Sequence, residues 1–131
     1  MTKVVLDTNL IIAGRWNSKS SSLKIIDLCI SGSLKAVYTR EVRDENLYIL
    51  GKVKTPRQYL QKIERFYENS MRVESNEKVT VSRDHSDNRF LEAALAGCAD
   101  YVISNDHHLL EVEEYRGVKI MRPSDFMKLL P

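Results

Sequence analysis

Val4-Val5-Leu6 is a short β-branched apolar run that meets the polar triplet Asp7-Thr8-Asn9, and a second apolar run, Leu10 to Ala13, follows. The pattern predicts a strand ending on polar residues. Ser20-Ser21-Ser22 supplies N-caps for a helix whose Leu23, Ile26 and Ile30 recur at helical spacing and which Gly32 ends. Leu34 to Tyr38 reads as a second strand. Thr39 caps a helix from Arg40 to Leu50 that carries Val42, Asn46, Leu47 and Leu50 on a mixed face, with Gly51 as terminator. Thr55 caps the next helix with Pro56 at its first position, and Tyr59, Leu60, Ile63, Phe66 and Tyr67 form an apolar stripe that belongs in a core.

After the polar connection Ser75 to Lys78, Val79-Thr80-Val81 reads as a third strand. The segment Ser82 to Asn88 is dense in turn and cap residues, so a helix starts there, buries Phe90, Leu91, Ala94 and Leu95, and stops at Gly97. Tyr101-Val102-Ile103-Ser104 is another strand, which Asn105-Asp106 follows as Asp7 follows the first. A short helix at Leu109-Leu110, a strand at Val118 to Met121 and a helix begun by Pro123-Ser124 complete the alternation. Strands alternating with helices imply an α/β fold, a mostly parallel central sheet with helices on both faces.

At 131 residues the chain suits one domain with one buried core, residues 1–131. The balance of 43% hydrophobic and 29% charged residues excludes a disordered or membrane-spanning chain. No stretch approaches the roughly 20 apolar residues of a membrane helix, and the N-terminal apolar run is too short for a signal peptide. Cys29 and Cys98 match no redox or metal spacing and read as buried free thiols, so a cytoplasmic location is expected. A net charge of +2 announces no nucleic-acid partner by itself, which leaves that question to the placement of charges.

Ligands of open parallel sheets bind beyond the carboxyl ends of the strands. Asp7 and Asp106 occupy two such ends, and Asp87 lies in the first turn of a helix, so three carboxylates can meet at one edge. Each aspartate alone also fits a capping role, and Asp84, Ser86 and Asn88 compete with Asp87 for it. Carboxylates gathered together repel, and a hard cation neutralises them. Magnesium or manganese, which bind oxygen ligands and phosphate oxygens, suit such a site and point to phosphodiester hydrolysis.

Val-Leu-Asp-Thr-Asn at residues 5–9, Asp-Asn-Arg-Phe-Leu-Glu-Ala-Ala-Leu-Ala-Gly from Asp87, and Ala-Asp-Tyr-Val-Ile-Ser-Asn-Asp at residues 99–106 together resemble the PIN-domain ribonuclease family. The resemblance runs from Val4 to the C-terminal helix. It is nearest to the toxins of toxin–antitoxin pairs of the virulence-associated protein C type. It implies a three-layer α/β/α sandwich and a metal-dependent endoribonuclease acting on single-stranded RNA. It also implies Asp7, Glu45, Asp87 and Asp106 as ligands of the cation, a small antitoxin as partner, and a homodimer. Glu41 shares a helix face with Glu45 and is the alternative helical ligand.

Asn9 and Thr8 can support Asp7, and Ser104 can support Asp106 through its hydroxyl. Asp84 stands where relatives begin an Asp-Pro-x-Asp segment, with His85 in place of proline, and either assists the metal or caps the helix. His85, His107 and His108 lack a third partner at a metal spacing and read as solvated or substrate-side. Arg15, Lys19, Arg40, Arg43 and Arg83 lie near the ends of elements bearing the acids and are candidate phosphate contacts, with Trp16 or Tyr48 to stack a base. The rival readings are a PIN-like module that binds RNA or protein without cutting and a phosphoacceptor receiver. The receiver lacks here its paired acids after the first strand and its late lysine.

Overall fold

The computed structural model describes residues 1–17 and 19–131. Six strands, β1 (Lys3–Leu6), β2 (Lys35–Thr39), β3 (Met71–Val73), β4 (Tyr101–Ile103), β5 (Glu114–Tyr115) and β6 (Val118–Met121), form one sheet in the order β3-β2-β1-β4-β6-β5. Every pairing is parallel except β5 with β6. The helices are α1 (Thr8–Ala13), α2 (Ser21–Ser31), α3 (Arg40–Lys52), α4 (Arg57–Glu68), α5 (Asn88–Ala96), α6 (His107–Leu110) and α7 (Pro123–Leu129). A short 3-10 turn, His85–Asp87, runs directly into α5.

Period-two alternation along the strands divides the core. Val4, Leu6, Ala36 and Ile103 face a layer holding Leu10, Ile26, Ile63 and Phe126, from α1, α2, α4 and α7. Val5, Val37, Val102 and Ile120 face the opposite layer, with Phe90, Leu91 and Ala94 of α5 and Leu109 of α6. The result is the expected α/β/α sandwich. Gly97, at the end of α5, lets that helix close on β2, because a Cβ there would stand 2.3 Å from Val37 Cγ1.

Several helix ends fall where the sequence puts them. Ser20 accepts from the N–H of Leu23 at 3.1 Å, Gly32 ends α2 at φ 89°, and Thr39 accepts from the N–H of Val42. Four details differ. α3 continues through Gly51 to Lys52. The Thr55 hydroxyl turns back to donate to the carbonyls of Leu50 and Val53, so α4 begins at Arg57 after Pro56 rather than from a Thr55 cap. Val79 to Val81 is not a strand; side chains of α5 hold its two ends instead, Val79 N–H binding Glu92 Oε2 at 2.9 Å and the following Ser82 N–H binding Asn88 Oδ1 at 2.8 Å. The edge strand is instead β3, paired to β2.

The tight β5–β6 hairpin, also unforeseen, turns on Arg116 and Gly117 at φ 51° and 89°, the two left-handed positions that such a turn demands. Cys29 is buried as expected, whereas Cys98 is exposed. Among the described residues no helix is long and apolar enough to cross a membrane.

Candidate active site at the carboxyl edge of the sheet

The chain leaves β1 for β2 on one side of the sheet and later enters β4 on the other, so the strand order reverses between β1 and β4. Such a switch point opens a crevice at the carboxyl ends of the two strands. Asp7 follows β1 and caps α1, and its Oδ1 accepts from the N–H of Asn9 at 3.0 Å. Ser104, fully buried after β4, donates its hydroxyl to Asp7 Oδ2 at 2.6 Å and accepts from the N–H of Asp106 at 2.9 Å. Asp106 caps α6 by accepting from the N–H of His108 at 2.8 Å.

The loop before α5 brings in two more carboxylates. Asp84 takes the capping role, accepting from the N–H and hydroxyl of Ser86 at 3.0 and 2.7 Å. Asp87 is therefore free of it and makes no side-chain cap. It is only 6% exposed, and its buried Oδ2 has no hydrogen-bond partner. Oxygens of Asp84, Asp87 and Asp106 and a ring nitrogen of His108 lie within 4.8 Å of one another.

The electrostatics follow from this crowding. Burial, then the neighbouring charges of Asp106, Asp84 and Asp7, push the Asp87 carboxyl up to about 7. Burial also raises Asp7, against the opposing hydrogen bonds from Ser104 and Asn9. Asp84, half-buried and hydrogen-bonded to Ser86, is lowered instead. A buried carboxylate oxygen without a donor, facing two further carboxylates, is the arrangement that a divalent cation satisfies. The acidic cluster fits such a cation.

The structure thus brings Asp87 and Asp106 together, adds Asp84 and His108, and sets Asp7 beside them through Ser104. Glu45 stands outside this group. Both its oxygens face the guanidinium of Arg89, one bond running from Arg89 Nη2 to Glu45 Oε1 at 3.0 Å. Glu41 is exposed and has no place in the cluster either. Asn9 acts through its backbone N–H, for its side chain is exposed.

The four candidate phosphate arginines have partners within the chain. Arg15 binds the carbonyls of Lys54 and Ile12, Arg40 and Arg43 pair with Asp44, and Arg83 binds Glu111 at 2.7 Å. Trp16 and Tyr48 are exposed at 59% and 66%, yet each lies under a cation of its own surface, Arg15 and Lys52. Leu50, by contrast, is buried. Sequence alone assigns no part to Arg89, and His108, which reads there as solvated or substrate-side, joins the acidic cluster. Arg89 had a visible signal, a cation amid the apolar positions of α5 directly after Asp87-Asn88.

The chain is an α/β/α sandwich whose sheet reverses order beside a cluster of carboxylates compatible with a divalent cation. The PIN domain family matches residues 3–108, and the chain belongs to that family. Among solved structures it is similar to VapBC2 from Rickettsia felis bound to a DNA fragment from their promoter. That likeness has a TM-score of 0.60 and 14% sequence identity, and covers 91% of this chain and 97% of the other. No curated protein matches the sequence.

Proposed function

We propose that this chain is a divalent-metal-dependent endoribonuclease that hydrolyses phosphodiester bonds of single-stranded RNA as one PIN domain spanning residues 1–131. The observation that carries this reading is the buried, donor-less Oδ2 of Asp87 among the carboxylates of Asp84 and Asp106. Asp84, Asp87 and Asp106 hold magnesium or manganese, with Asp7 adding charge from behind. A cation held there would supply charge to neutralise phosphate and to acidify a water for attack on phosphorus.

The chain's own groups prepare that chemistry. Ser104 fixes the rotamer of Asp7 and the backbone of Asp106 together, so these two acids move as a unit. Burial and the neighbouring acids push the Asp87 carboxyl up to about 7, and a cation neutralising the cluster would favour its ionised form. Glu45 acts by holding Arg89, and it reaches the cation only if that ion pair opens. Arg89 also lines a groove of about 450 Å³ in which Arg40, Arg72 and Lys78 are interspersed with Glu41, Glu74, Glu77 and Glu92, so its cations are balanced by acids of the same groove.

A toxin role with a small antitoxin as partner belongs to the same reading. The Rickettsia felis VapBC2, bound to promoter DNA, is the precedent for a partnered assembly. A homodimer and a cytoplasmic location complete the proposal. The experiment is incubation of purified chain with labelled single-stranded RNA, duplex RNA and single-stranded DNA in magnesium, manganese or EDTA. Cutting of single-stranded RNA alone, abolished by EDTA, is expected. Metal binding without cutting of any substrate favours a PIN-like module that binds RNA or protein.

A further inference from the structure

His108 is the one member of the cluster that the proposed reading leaves without a part. It is half-buried, and its ring Nδ1 stands 3.7 Å from Asp106 Oδ1, too far for a hydrogen bond. Neither ring nitrogen has a hydrogen-bond partner among the described residues, while the backbone N–H is locked onto Asp106. The ring therefore has a fixed base and a free donor atom. His107 packs against it with ring centroids 4.0 Å apart. Two ligands of one small divalent ion stand at most about 4.2 Å apart, and the four donor atoms, all within 4.8 Å of one another, approach a coordinating set. Asp87, a member of the same group, supplies a second sign that something belongs there, since it is 6% exposed and its Oδ2 has no hydrogen-bond partner.

We propose that His108 is a nitrogen ligand of the cation held by Asp84, Asp87 and Asp106, which makes this a centre for manganese or another first-row transition ion in preference to magnesium. The inference rests on the proposed metal-dependent reading and narrows it. Magnesium demands oxygen ligands and gives up water reluctantly, whereas an imidazole suits the transition ions. The adjacent His107 is exposed and lies within 4.8 Å of Asp106 and His108, but it does not group with Asp84 or Asp87, so the four-residue cluster takes its nitrogen from His108.

The test uses tag-free full chain loaded with Mn2+ and examined by pulsed electron paramagnetic resonance for coupling to imidazole 14N, beside calorimetric titration with Mn2+ and with Mg2+. Wild type is expected to show nitrogen coupling that persists in His107→Ala and His85→Ala and disappears in His108→Ala. Affinity for Mn2+ falls about tenfold or more in His108→Ala while that for Mg2+ changes by less than about threefold. Mn2+ bound without nitrogen coupling, or an equal loss for both ions, overturns the role of His108 and leaves the carboxylate site standing. Failure of wild type to bind either ion, or binding that survives Asp87→Asn, overturns the metal-dependent reading itself.

Discussion

Ser104 donates its hydroxyl proton to Asp7 at 2.6 Å, joining residues 97 positions apart at the ends of neighbouring strands. The same oxygen accepts from the N–H of Asp106, so one buried hydroxyl sets both acids. Ser104→Ala removes a donor from a buried carboxylate and leaves an amide N–H unpaired. It is expected to lower stability by about 1–3 kcal/mol and to reduce cleavage at unchanged RNA affinity. Urea unfolding and steady-state kinetics check the two effects. A variant as stable and active as wild type contradicts the coupling.

The acidic cluster makes the metal-free protein sensitive to pH in a definite direction. Asp87 titrates near 7 in the folded chain, well above an unfolded aspartate, so between these values the native state holds more protons than the unfolded one. Stability in EDTA therefore falls as pH rises from about 4 towards 7, and Asp7, raised as well, adds to the trend. Melting temperatures across that range should show the slope, and Asp87→Asn should flatten it while removing the stabilisation by Mn2+.

Glu45 and Arg89 form a partly buried two-point ion pair that links α3 to α5. A double-mutant cycle over Glu45→Ala and Arg89→Ala should return a coupling of about 1 kcal/mol. Glu45→Ala should also weaken metal binding less than Asp87→Asn does, as measured by calorimetry. Equal losses of metal affinity would place Glu45 among the ligands.

Gly97→Ala drives a methyl group into Val37, and the neighbour is a β-branched residue on a central strand. The expected cost is about 1–3 kcal/mol, read by denaturant midpoint. An unchanged midpoint would mean that α5 can lift from the sheet at no cost.

The elements with strong local chemistry were legible in the sequence. Ser20 and Gly32 bound α2 because a hydroxyl cap and a left-handed glycine leave little choice, and Asp7 and Asp106 mark strand ends because their carboxylates follow β-branched runs. What the sequence hid depends on partners distant along the chain. Val79 to Val81 has strand composition, yet Glu92 and Asn88 take the donors that flank it, while Met71–Val73 is too short and too interrupted by Arg72 to announce β3.

The site shows the same division. Asp87 could not be told from a cap until Asp84 was seen to take that role through Ser86. His108 joins the cluster only because the 3-10 turn, some twenty residues earlier, comes beside it, and Glu45 faces Arg89, which reaches across from α5. Spacing along a helix cannot report either event.

The most direct test of the central claim is cleavage of single-stranded RNA in Mn2+ by wild type and by Asp87→Asn prepared side by side, with a thermal melt to show that both are folded. The account predicts cutting by wild type that EDTA abolishes, and a loss of at least about a hundredfold in the variant. Equal cutting by the folded variant would contradict it, and would place the reaction away from the Asp84, Asp87 and Asp106 cluster.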